Sequence, residues 1–86
     1  MRARNEERRQ LRALFRDASL LQRANRLRGF IAAVEDRAHR DGELTQEKQQ
    51  WIEWAKAKAD WIDPRVRRSD PILDAPESEA PSYWQY

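Results

Sequence analysis

The chain has 86 residues, 37% of them charged, a net charge of +2 and no cysteine. That length allows one small domain at most, and no disulfide is available to brace it. One histidine, His39, excludes a His/Cys metal cluster, and no apolar run approaches the ~20 residues of a membrane span. The arginine-rich start lacks the apolar stretch that a secretory signal needs. A bacterial-type cytoplasmic protein with no cofactor, no small-molecule substrate and no membrane contact is the simplest expectation. The charge is unevenly spread. Nine arginines against three carboxylates give residues 1–28 a net +6, residues 29–64 carry −3, and residues 65–86 carry −1.

Residues 2–40 hold no proline and one glycine and are rich in Arg, Ala, Leu, Glu and Gln. These are strong helix formers, so the reading is one long helix over about 3–40. Arg37, His39 and Arg40 place cations at its C-terminal end, where the helix dipole favours them, and Gly42 suits the left-handed position beyond. Thr45 is the expected N-cap of a second helix over about 45–62, which Pro64 closes by restricting Asp63. The short link between them predicts an antiparallel helical hairpin, so the fold class is all-α. Residues 1–62 form the hairpin in this reading. Residues 63–86, with prolines at 64, 71, 76 and 81, form an extended tail ending in an aromatic cluster.

On a helical wheel the first helix carries two apolar stripes. Leu20, Ala24, Leu27, Ile31, Val34 and Ala38 follow a coiled-coil-like 4-3 spacing. Leu11, Leu14, Phe15, Ala18 and Leu21 lie roughly 140° away, far beyond the ~20° drift per heptad of a straight seam. Either the chain bends or restarts at Ser19, whose Ser-Leu-Leu-Gln reads as a capping box, or the helix is continuous and its first half faces something outside the hairpin. A third arrangement folds that half onto the tail, through Ile72, Leu73 and the terminal aromatics.

The second helix is tryptophan-rich. Ile52, Ala55, Ala59 and Ile62 form one stripe, and Trp51, Trp54 and Trp61 form another beside it. Together they cover more arc than one neighbouring helix requires. The expected core is Leu27, Ile31, Val34, Trp51, Ile52, Ala55 and Ala59, with Trp54 mainly in the hairpin. Gly29 offers a flat spot for an indole. Trp61, at the edge of the arc, is expected to meet the tail or a partner. Arg-Leu-Arg-Gly-Phe-Ile-Ala-Ala-Val-Glu (26–35) and the later Trp-x-x-Trp-Ala-x-x-x-Ala-Asp-x-x-Asp-Pro (51–64) together resemble the C-terminal helical region of longer, uncharacterised bacterial proteins. The resemblance covers residues 8–66 and implies no activity; it suggests a part, or a free-standing relative, of something larger.

Catalytic chemistry lacks its parts. Gly29 and Gly42 stand alone, so there is no phosphate loop, and no serine or threonine sits in a nucleophile motif with His39. The reading is therefore a non-enzymatic interaction or oligomerisation module that docks another protein or a second copy. Its candidate contacts are Leu11, Leu14, Phe15, Leu21, Trp61, Tyr83, Trp84 and Tyr86. The alternative is a nucleic-acid-binding accessory protein that uses the basic ridge of Arg9, Arg12, Arg16, Arg23 and Arg26 along phosphates. The ridge lacks flanking base-reading side chains and a recognised motif. Far-ultraviolet circular dichroism tests the fold: helix content should exceed about 40%, above the ~30–35% of average globular domains, and a lower value contradicts the hairpin.

Overall fold

The computed structural model describes residues 2–75. It is an α-helical hairpin of α1 (Arg2–Arg40) and α2 (Gln46–Ile62), followed by turns. The helix α1 runs through Ser19 without interruption, so the chain does not restart there. At 39 residues it spans about 58 Å, close to the 62 Å long dimension of the molecule. The 17 residues of α2 span about 25 Å.

The link between the helices is built from caps. Gly42 lies at φ 67, and its N–H donates to the His39 carbonyl at 3.3 Å while the Glu43 N–H donates to that of Ala38 at 2.8 Å. This is a Schellman motif, which satisfies carbonyls that the helix end leaves open. Thr45 then caps α2 by accepting a hydrogen bond from the Lys48 N–H at 3.1 Å. Between these caps Leu44 folds inward against the core.

That core is narrow and made largely of small residues. Ala24, Ile31 and Ala38 are buried on α1, and Ile52, Ala55 and Ala59 on α2. The α1 positions recur every seven residues, which keeps one line of the helix facing its partner. With four alanines in the seam, only residues directly on it are covered. Val34 is therefore only half-buried, and Leu27 and Trp51, expected inside, sit at the rim at 37% and 38% exposure. Trp54 is further out, 56% exposed, with the Lys58 ammonium 5.5 Å from its ring centre. The expectation of Trp51 or Trp54 on Gly29 is also corrected: among the described residues no other element comes within 4 Å of a Cβ added there. Trp51 instead stands edge-to-face with Phe30, ring centres 6.5 Å apart and planes at 79°.

Residues 63–75, expected as the start of an extended tail, form two successive turns. The Val66 and Arg67 N–H groups donate to the Asp63 carbonyl at 3.1 and 2.9 Å, and the Asp74 N–H donates to that of Asp70 at 2.8 Å. Aspartate side chains hold the second turn. The Asp70 carboxylate accepts from the Ile72 and Leu73 N–H groups at 2.9 and 3.0 Å, and Asp74 accepts from the Asp70 N–H at 2.7 Å. This is Asx-type turn chemistry, which proline content alone does not reveal.

Replacing Ile31 or Ile52 by alanine should each cost ~2–5 kcal/mol in urea unfolding, because both side chains are buried. Gln50→Ala, on the exposed side of α2, should stay within ~0.5 kcal/mol. Equal effects at the three positions would place the core on the wrong face.

Candidate protein-docking surface

The unequal helix lengths create the surface. Because α2 runs antiparallel from the α1 C-terminus, it faces only the second half of α1. Lys56 lies 3.6 Å from Glu35, and the C-terminal end of α2 meets Arg28 through Asp60. The first half of α1 extends past the end of α2. On it Leu11, Leu14 and Phe15 are 49%, 65% and 66% exposed. Leu21, nearer the hairpin and turned toward its edge, is half-buried. Ile72 and Leu73 do not cover the N-terminal stripe: Ile72 is itself 60% exposed and borders Trp54 instead.

An ionic clamp joins the middle of α1 to the end of α2. Arg28 donates to Asp63 at 2.7 Å, to Asp60 at 2.9 Å and to Asn25 at 3.1 Å. Asp63 is fully buried, and Arg65 wraps it through its backbone N–H, Nε and Nη2 at 2.9, 3.2 and 3.0 Å. These charge-assisted bonds replace the water that the carboxylate loses. The Arg65 guanidinium and then Arg28 hold Asp63 well below the usual carboxylate range, outweighing burial. Lys58, which contacts Asp70 directly, and the Leu73 and Ile72 N–H groups depress Asp70 likewise. The Asp70 N–H and the Trp61 indole, which donates to Asp74 at 2.8 Å, depress Asp74.

The tryptophan side of α2 is the second exposed feature. Trp54, Lys58, Trp61, Ile62, Ile72 and Leu73 line an open, largely apolar cleft where the second turn lies against α2. Trp61 is half-buried there by its bond to Asp74. Tyr83, Trp84 and Tyr86 lie outside the described residues.

The arginine ridge is exposed throughout: Arg9, Arg12, Arg16, Arg23 and Arg26 all face solvent. Arg9 lies 3.6 Å from Glu6, and Arg16 lies 3.6 Å from Asp17. The fold brings Arg16 to one open cleft with Arg67 and Arg68, which the sequence separates by some fifty positions. Asp17 and Asp74 line the same cleft and dilute its positive charge. Among the described residues no group of three His, Cys, Asp or Glu side chains is placed to hold a metal ion, and no helix is long and apolar enough to cross a membrane.

Sequence reasoning missed the clamp. Asp63 entered that reasoning only as the residue that Pro64 restricts, and Asp60 as an acid on the solvent face of the second helix. The available signal was Asp63 immediately before Pro64, a boundary position where a short acidic side chain can bond back to nearby N–H groups. Neither a family model, nor a curated protein, nor a solved structure matches this chain.

The depressed carboxylates make stability depend on pH in a definite direction. Their folded-state values lie below the ~3.9 of an unfolded aspartate, so their contribution is complete above about pH 4 and is lost as pH falls through the folded values. The melting temperature should hold from neutrality to about pH 5 and decline below about pH 4. Asp63→Asn should lower it at neutral pH and flatten the acid decline, whereas Arg12→Ala should change neither. An acid limb as steep in Asp63→Asn as in the parent chain would remove Asp63 from the account.

Proposed function

We propose that this chain is a non-enzymatic helical interaction module, which docks another polypeptide through the outward face of the first half of α1. The observation that carries the reading is the overhang itself. An unbroken helix places Leu11, Leu14 and Phe15 in solvent, beyond the end of α2. An adjacent apolar row of this kind, rimmed by charge, is the usual mark of a protein-binding helix face. The tryptophan-lined cleft beside α2 offers a further apolar contact on the same molecule. The helix needs no rearrangement to expose either, so binding carries little ordering cost.

A basic accessory role on nucleic acid is the second reading, supported by the meeting of Arg16, Arg67 and Arg68 around one cleft. The acids in that cleft, which dilute its positive charge, make it the weaker of the two. Salt separates them. A docked apolar face is little affected between 50 and 200 mM salt, whereas phosphate tracking by several arginines loses affinity steeply over that range.

In-cell photo-crosslinking from a benzoylphenylalanine placed at Phe15 tests the docking reading. Adducts of discrete mass are expected from position 15 and not from Gln50, an exposed position on α2. No adduct at position 15, under conditions where the chain is folded and abundant, removes the docking face.

A further inference from the structure

The outward face of α1 is longer than its bulky residues. Following the 4-3 spacing from Leu11, the face continues through Gln22 and Asn25 to Gly29, Ala32 and Ala33, all exposed. It carries no charge over this whole stretch, about 33 Å of helix, although neighbouring positions hold arginines and acids. Its two halves differ in size. Leu11, Leu14 and Phe15 fill the N-terminal half, while Gly29, Ala32 and Ala33 leave the C-terminal half shallow. Gly29 is the clearest anomaly. A mid-helix glycine costs ~1 kcal/mol relative to alanine, and no other element among the described residues comes within 4 Å of where its side chain would be.

We infer that the occupant of this face is a second copy of the chain, packed antiparallel through a two-fold axis between Gln22 and Asn25. The inference rests on the docking reading above and names its partner. Antiparallel pairing sets each copy's bulky half against the other's shallow half: Phe15 faces Ala32, Leu14 faces Ala33, and Ala18 faces Gly29. A parallel pair would set large against large and leave the glycine without a purpose. The missing side chain at Gly29 lets the backbones approach closely, as small residues do wherever helices pack tightly. Gln22 and Asn25 meet at the axis, and such a polar layer fixes register in paired helices. Charges return only at the ends, where Leu11 of one copy faces Asp36 of the other and Glu7 comes near Arg40, which also pairs with Asp36 of its own chain at 2.7 Å. The interface is isologous, so it closes at two copies. It lies roughly 140° around α1 from the buried seam, so α2 is clear of the mate.

The chain has no cysteine, which makes site-directed crosslinking clean. Light scattering of the full chain should give twice its 10.3 kDa mass. The double variant Leu14→Glu, Phe15→Glu should halve that mass while the melting transition persists. Under mild oxidation Ala18→Cys and Gly29→Cys chains should join to each other when mixed, and neither should join to itself alone. Self-joining of Ala18→Cys would show a parallel pair and overturn the arrangement. A wild-type chain that stays at single mass up to about 1 mM, far weaker than a specific dimer, overturns the second copy. In that event adducts from position 15 with a different protein leave the docking reading standing, and their absence removes it too.

Discussion

The Asp63 carboxylate, enclosed between Arg28 of α1 and Arg65 of the following turn, is the interaction on which the rest of the hairpin depends. It touches three parts of the chain at once: the middle of the first helix, the end of the second, and the segment that leaves it. A buried carboxylate is tolerated only where its lone pairs are filled, and here arginine groups and a backbone N–H fill them. Removing Arg28 would leave this charge buried with half its partners. The clamp thereby locks the antiparallel register that the alanine seam alone defines weakly.

That weakness follows from composition. Two isoleucines and four alanines bury little apolar area, and a chain of this size has no disulfide to compensate. The polar links around α2 take on part of the task. Lys58 to Asp70, Trp61 to Asp74, and Arg28 to Asp60 and Asp63 all tie the end of α2 to its surroundings. The alanines have a positive role as well. They leave room beside the seam for the Arg28 side chain to reach Asp60 and Asp63.

Much of the fold was legible in the sequence because its signals are local. Gly42, Thr45 and Pro64 mark helix ends through backbone geometry, and the seven-residue recurrence of Ala24, Ile31 and Ala38 marks the seam through side-chain period. What was not legible depends on distance. Tryptophan suggests burial by its size, yet Trp51 and Trp54 sit at the rim because their neighbour is a thin alanine line and not a broad sheet. The turns after Ile62 were obscured because proline marks departure from helix without saying whether the chain folds back; Asp70 and Asp74 decide that. For the outward face of the first half of α1, the phase break between Leu11 and Leu20 was visible, but whether it reflected a bend or an overhang required the unbroken path of α1 through Ser19.

The unequal length of the two helices has an evolutionary consequence. The buried residues of the hairpin lie from Ala24 onward, whereas Leu11, Leu14 and Phe15 lie before it, so these three share no position with the seam. Substitutions at positions 11, 14 or 15 escape the selection that preserves folding. Sequence at these positions can therefore change without crossing a stability threshold. Divergent descendants of such a chain would keep a recognisable alanine seam and Asp-Pro corner while their first two dozen positions drift apart.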